Sequence, residues 1–178
     1  MDALLSHRIL FLGEPITTEV ANRLISGLLL LDADDHQAQI DLYINCSGGN
    51  VLDGLAIIDV IQCIQAPVST ICVGRAASMA AWILAAGAKG KRYAAPNAEV
   101  MLHQVAASFA GQTSDIRIYT QRMVGLQQRL VGMLARWTGQ SRQRITKDME
   151  HEFFMTAEKA KEYGIVDAIL EPYVREDG

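Results

Sequence analysis

The stretch Val68–Ala88, VSTICVGRAASMAAWILAAGA, constrains the fold of this chain more than any other segment. It begins with β-branched and apolar residues typical of a buried strand, is expected to break at Gly74, and continues as an alanine-rich apolar helix from about Ser78. Ser78 therefore lies where a strand is followed by a helix N-terminus, whose first backbone N–H groups have no partner within the helix. Those donors and the helix dipole favour negative charge nearby. The serine is either a simple N-cap or a hydroxyl beside an anion-binding site.

Composition narrows the class of protein. The chain has 178 residues, of which 50% are hydrophobic and 20% charged, which fits a single globular unit with a substantial core. The net charge of −4 and the lack of a dense basic patch argue against nucleic-acid binding. The longest run of small or apolar residues, Ala76–Ala88, is shorter than the roughly 18 residues of a membrane-spanning helix. We expect no membrane association.

The termini and cysteines indicate where the chain works. The N-terminal sequence MDALLSHRILFLG has no basic leader before an apolar run and does not read as a signal peptide. Cys46, Cys63 and Cys72 lack the spacing of metal ligands. Free thiols in a reducing cytoplasm are the simplest interpretation, so we expect a cytoplasmic protein without a bound metal.

Alternating strands and helices are predicted in the first half of the chain. Strands at Arg8–Leu12 and Ile40–Ile44 each precede a helix, the first of which is capped by Thr17 or Thr18 and ends before a loop-like Asp32–Asp35. A third strand begins after Pro67. The order β-α-β-α-β-α implies an α/β fold with a mostly parallel sheet.

The second half contains one unusually long predicted helix, Asp115–Trp137, which is expected to stop at Gly139. It follows two short strands, near 91–93 and 100–103, and a stretch of small residues at 106–114. The remaining boundaries that we expect are helix starts at Ser141 and Thr156 and a helix end at Gly164.

Three features follow predicted strands, at the edge where ligand sites of α/β proteins collect. They are the pair Gly48-Gly49, Ser78 and His103. A serine nucleophile needs a base, an orienting acid and oxyanion donors. The backbone N–H groups of Gly49 and Met79 are candidate donors, but spacing alone does not bring Ser78 and His103 together.

Seven blocks of sequence resemble the proteolytic subunit of the Clp protease (ClpP), a serine peptidase. The resemblance extends from Leu4 to about Leu170. The blocks are LYIN..GG at Leu42–Gly49, VSTICVG.AASM at Val68–Met79, AAGAKGKRYA at Ala85–Ala94, VM.HQ at Val100–Gln104, GQ..DI at Gly111–Ile116, TGQS at Thr138–Ser141 and FFM.AE.AKEYG.VD at Phe153–Asp167.

The resemblance implies a fold and a set of site residues. The fold would be a crotonase-like spiral of ββα units, with a head at about 1–103 and 138–178 and a projecting handle helix at about 104–137 within one peptidase domain spanning 1–178. Ser78 would be the nucleophile, His103 the general base, and Gly49 and Met79 the oxyanion hole.

The resemblance also implies partners and substrates. Two stacked heptameric rings, built from this chain alone or with a paralogous subunit, would enclose a chamber for unfolded polypeptides. A hexameric AAA+ unfoldase would feed that chamber. The sequence has no phosphate-binding GxxxxGK[ST] motif, so the unfoldase partner would use the ATP and this chain would bind no cofactor.

Some positions depart from the family pattern. The third member of the triad, normally an aspartate, corresponds to Glu152, and Asp148 is the alternative acid. Ser47 replaces the proline before the glycine pair, and 105–108 replaces a glycine-containing segment that lines the peptide cleft. These differences suggest a divergent paralogue.

Three other functions remain open at the level of sequence. The chain could be a weakly active or non-catalytic subunit of a mixed ring, given the changed acid and cleft. It could be a crotonase-type acyl-CoA enzyme, which shares the oxyanion hole but needs neither Ser78 nor His103. A cysteine peptidase that uses Cys46 is a further alternative.

Overall fold

The computed structural model describes residues 2–106, 110 and 112–172. Within these ranges the helices are α1 Asp2–Leu5, α2 Thr18–Asp34, α3 Val51–Cys63, α4 Met79–Ala85, α5 Thr113–Thr138, α6 Arg142–Asp148 and α7 Ala157–Tyr163. The strands are β1 Ile9–Leu12, β2 Ile40–Cys46, β3 Val68–Ala77, β4 Arg92–Ala94, β5 Glu99–Leu102, β6 Phe153–Thr156 and β7 Ala168–Ile169.

The strands form one mostly parallel sheet, which confirms the predicted α/β class. Its main path is β1-β2-β3-β4-β7, with every neighbouring pair parallel. Beside this path, β5 pairs with β3 in parallel and β6 pairs with β5 antiparallel. On one side, β3 therefore has two partner strands, β4 along its first half and β5 along its second half.

The predicted break of the third strand at Gly74 is wrong, because β3 continues to Ala77. Its first half pairs with β4 through Thr70–Cys72, and its second half pairs with β5 through Arg75–Ala77. Gly74 lies at the change of partner with φ +76°, where a Cβ atom would come within 2.7 Å of the Asn45 side-chain oxygen. The glycine allows the strand to bend, and the bend carries the end of β3 to β5.

Most helix boundaries agree with the predicted signals. Ser141 and Thr156 accept hydrogen bonds from the backbone N–H groups of Arg144 and Lys159, and Gly139 and Gly164 end their helices in the left-handed conformation. The helix α2 is longer than predicted, since it includes the acidic residues to Asp34.

Two further findings concern the helices. The helix α5 covers the predicted Asp115–Trp137 and extends beyond it at both ends, whereas α1 was not predicted. Over residues 2–106, 110 and 112–172, no helix combines the length and apolar character required to cross a membrane.

The core is centred on α4, in which all residues are buried. The indole of Trp82 donates a hydrogen bond from Nε1 to the carbonyl oxygen of Leu130 on α5, at 3.0 Å. The apolar face of α5 near this contact is buried. Nearer the start of the helix, Ile118 and Val124 are 61% and 52% exposed. One end of the long helix therefore packs on the core and the other presents apolar side chains to the outside.

An ion pair between a buried arginine and a partly buried aspartate connects β4 to the end of α5. Arg92 on β4 is 5% exposed, and its guanidinium contacts both carboxylate oxygens of Asp167, at 2.9 and 2.5 Å. The same guanidinium donates to the carbonyl oxygen of Trp137 at 3.2 Å. Burial raises the pKa of Asp167, but the hydrogen bonds and charge of Arg92 outweigh it and lower the pKa overall.

Candidate active site

Ser78 occupies a strained backbone position between β3 and α4. Its φ and ψ are 52° and −132°, in a region that residues other than glycine rarely adopt. Its backbone N–H donates to the carbonyl oxygen of Met101 at 2.9 Å, which fixes it against β5. Its hydroxyl makes no capping hydrogen bond to α4. Ser78 therefore occupies the N-cap position of α4 without capping the helix by its side chain, and the hydroxyl is available for another contact.

That contact is with His103. The Oγ atom of Ser78 lies 2.8 Å from Nε2 of the half-buried imidazole. The sheet explains the meeting, because Ala77 on β3 pairs with Met101 on β5 and both side chains follow the carboxyl ends of these parallel strands. With the proton on Nδ1, Nε2 would accept from the serine hydroxyl, which is the arrangement of a general base beside a nucleophile.

Gly48 and Gly49 lie directly beside Ser78. A Cβ atom on Gly48 would be 2.6 Å from the Cβ of Ser78 and 3.1 Å from the backbone nitrogen of Met79. Gly49 is anchored by its neighbours, since Ile16 donates to the Gly48 carbonyl and accepts from the Asn50 N–H, both at 2.9 Å. In the described chain the N–H groups of Gly49 and Met79 have no hydrogen-bond acceptor. Both residues are therefore suited to bind an oxyanion beside Ser78.

A pocket of about 140 Å³ opens at this point. Gly49, Ser78, Met79 and His103 line it together. Its other lining residues are mainly apolar: Val51, Trp82, Gln104, Val105, Ala106 and Leu130. The reactive pair thus faces a space with no acidic or basic side chain among its described lining residues other than the histidine.

Glu152 lies one residue before β6, which pairs with the strand that leads to His103. Leu102 at the end of β5 pairs with Phe153 at the start of β6, and His103 and Glu152 lie just beyond this last pair of the ladder. The Glu152 side chain is exposed, and no hydrogen bond joins it to the imidazole among the residues described.

Asp148, the alternative acid, has other partners. Its carboxylate accepts a hydrogen bond from the Tyr163 hydroxyl at 3.0 Å and lies 3.5 Å from the guanidinium of Arg144. Burial is the main cause that raises the pKa of Tyr163, and the hydrogen bond to Asp148 raises it further. These contacts hold the end of α6 to α7 and leave Glu152 as the acid closer in register to His103.

Cys46 has a structural role at the end of β2. It is 2% exposed, and its sulfur receives the Gly48 N–H at 3.3 Å and lies 3.0 Å from the Glu14 carbonyl oxygen. Burial raises the pKa of its thiol, which opposes the thiolate form that a cysteine nucleophile requires.

Across the described ranges, no group of three His, Cys, Asp or Glu side chains is close enough to hold a metal ion.

Two residues that shape the site were not predicted from the sequence. Trp82, one turn after Ser78 in α4, forms part of the pocket wall. Gln127 on α5 accepts a hydrogen bond at its Oε1 from the Val105 N–H at 2.9 Å, close to His103. In the sequence, the i+4 spacing of Trp82 from Ser78 indicates that the two residues share a helix face. Gln127 could have been identified as a polar residue next to Leu126 on the apolar face of the long helix.

Residues 107, 108 and 109 of the changed cleft segment, and 111 after it, lie outside the described residues.

Comparison with protein families identifies the chain. The family model described as Clp protease matches residues 1–173 of the 178. This match covers every structural feature of the site, from the glycine pair through the serine and histidine to Glu152. The chain therefore belongs to the Clp protease family.

Proposed function

We propose that this chain is a serine endopeptidase that hydrolyses unfolded polypeptides. The observation that carries the proposal is the 2.8 Å contact between the Ser78 hydroxyl and the His103 imidazole. A hydroxyl used only as a helix cap would point to the N–H groups of α4, which this one does not do. The family membership supports peptidase chemistry at this site.

In the proposed reaction, Ser78 Oγ attacks the carbonyl carbon of the substrate peptide bond while His103 Nε2 takes its proton. The N–H groups of Gly49 and Met79 bind the oxyanion that forms. The carbon–nitrogen bond then breaks, and the leaving amine takes the proton from His103. Water, deprotonated by the same imidazole, releases the carboxylate product and restores the serine.

Labelling with a fluorophosphonate tests the nucleophile. The phosphorus–oxygen bond to Ser78 forms as fluoride leaves, so the expected adduct is found on the peptide containing Ser78 and is missing from Ser78→Ala. Labelling of both proteins, or of another residue, would contradict the proposal. Binding of coenzyme A without labelling would favour the crotonase-type alternative.

Glu152 is the proposed third member of the triad, and the proposal is supported by the pairing of its neighbour Phe153 with Leu102, the residue before His103. It would hydrogen bond to the Nδ1 proton and stabilise the imidazolium. We expect Glu152→Gln to slow peptide hydrolysis, by up to about 10⁴-fold for a full triad acid. Asp148→Asn is the matched control, and a larger effect there than at Glu152 would assign the acid to Asp148.

A second candidate function is a weakly active or non-catalytic subunit of a mixed ring. The missing hydrogen bond between Glu152 and His103 in the described structure favours it. It predicts no labelling of the chain alone and labelling at Ser78 after mixing with a typical Clp peptidase subunit. Labelling of the isolated chain at its full rate would exclude this candidate.

We further propose that the chain assembles into stacked heptameric rings, alone or with a paralogous subunit, and receives substrate from a hexameric AAA+ unfoldase that uses the ATP. The exposed apolar side chains on the first half of α5 support subunit packing along this handle. A mass measurement on the purified assembly tests ring formation. A monomeric mass at working concentration would contradict it.

A further inference from the structure

We propose that Trp82 limits the size of the substrate side chain beside Ser78, so that the chain cleaves after small and medium aliphatic residues in preference to aromatic ones. The inference rests on the proposed peptidase function and assigns its substrate class. The side chain concerned is that of the residue whose carbonyl Ser78 attacks.

The chemistry of the pocket selects an apolar side chain. Val51, Trp82 and Leu130 supply apolar surface next to the reactive pair. The described lining holds no Lys, Arg, Asp or Glu side chain that would pair with a charged substrate group. A charged side chain placed there would lose its hydration without compensation, which is costly.

The volume of the pocket favours an aliphatic side chain over an aromatic ring. An apolar cavity of about 150 Å³ is just large enough for benzene. The pocket here has about 140 Å³, so a phenyl ring would occupy all of it, whereas a smaller aliphatic side chain leaves space beside the reactive pair. The remaining room suits alanine, valine or leucine better than phenylalanine or tyrosine.

The limit is rigid because Trp82 is held at both its ring and its backbone. The residue is 2% exposed and lies in the middle of the fully buried α4. Its Nε1 donates to the Leu130 carbonyl oxygen at 3.0 Å. Turning the indole out of the pocket would leave a buried N–H without an acceptor, which is unfavourable.

Four fluorogenic peptide amides test this inference, with identical sequences except for Ala, Leu, Phe or Tyr before the cleaved bond. For the purified protein we expect a kcat/KM at least about 10-fold higher for Leu than for Phe, as for other size-limited apolar pockets. Trp82→Phe removes the hydrogen bond and part of the wall, so the preference for Leu over Phe should shrink. Trp137→Phe is the matched control, since Trp137 does not line the pocket, and it should keep the wild-type preference.

The outcomes separate this inference from the proposed function. Hydrolysis that depends on Ser78 but is equal for Leu and Phe in the wild-type protein would overturn the size limit alone. The comparison of Leu and Phe peptides uses the wild-type protein alone, so it tests the size limit even if Trp82→Phe does not fold. Absence of Ser78-dependent hydrolysis for all four peptides would overturn both the peptidase proposal and the size limit.

Discussion

At the scale of single residues, the site depends on close approach between main chains. Gly48 allows the loop after β2 to pack against Ser78, where any side chain would meet the Ser78 Cβ at 2.6 Å and the Ala77 carbonyl oxygen at 2.8 Å. The sequence predicted the glycine pair, Ser78 and His103 as a group. It did not predict their distances, because these depend on the pairing of β3 with β5, which joins residues far apart in the chain.

Gly48→Ala should therefore abolish serine labelling while leaving a folded protein. Gly90→Ala provides the control, since Gly90 has a similar positive φ of 83° but nothing within 4 Å of an added Cβ. Backbone strain should cost each variant about 1–2 kcal/mol of stability, and the close contacts beside Ser78 add to the loss in Gly48→Ala. Only Gly48→Ala should lose fluorophosphonate labelling, and equal labelling of the two variants would contradict the packing argument.

At the scale of elements, the hydrophobic periodicity predicted the existence and type of most helices and strands. The errors have physical causes. Gly74 is typical of a strand end, but here the pairing of the second half of β3 with β5 outweighs that local signal. The acidic run at the end of α2 is typical of a loop, yet the helix continues to Asp34, where the Asp32 carboxylate accepts hydrogen bonds from the backbone N–H groups of Gln65 and Ala66 at 3.0 and 2.8 Å.

The contact of Gln127 with the Val105 N–H gives α5 a role in shaping the site. Gln127→Leu keeps the size of the side chain and removes the acceptor, so the segment after His103 should shift. A displacement of about 1 Å near reacting groups can cost about 100-fold in rate, which sets the upper bound of the expected loss in kcat/KM. The exposed neighbour Gln128→Leu should leave kcat/KM unchanged; a similar loss in both variants would point to a general effect on the helix.

At the scale of the whole molecule, the ion pair of Arg92 with Asp167 joins β4, the segment before β7 and the end of α5. The sequence contained both residues within family-like blocks but gave no reason to pair them. Their partnership arises because β4 lies beside β7 in the sheet, which brings residues 75 positions apart into contact.

Asp167→Asn should lower the free energy of unfolding by about 3–5 kcal/mol at neutral pH, because it leaves the buried Arg92 without its partner charge. The pKa of Asp167 is lowered in the folded state, so its contribution is complete above the unfolded pKa of about 3.9 and is lost as the pH falls through the lower folded value. Denaturant unfolding from pH 3 to 7 measures this directly.

Asp34→Asn is the control for that experiment, because Asp34 pairs with Arg8 at an exposed site and should contribute no more than about 1 kcal/mol. A difference between wild type and Asp167→Asn that stays constant as the solution is acidified below the unfolded pKa would contradict the assignment.

The backbone conformation of Ser78 has a thermodynamic consequence for the whole chain. Glycine adopts a φ of 52° freely, whereas serine in such a region stores about 1–3 kcal/mol of strain. Ser78→Gly should accordingly raise the melting temperature above that of the wild type while removing the hydroxyl, and Ser78→Ala, which keeps the Cβ atom, should show no such gain. The residue proposed as the nucleophile therefore lowers the thermal stability of the protein through its backbone conformation.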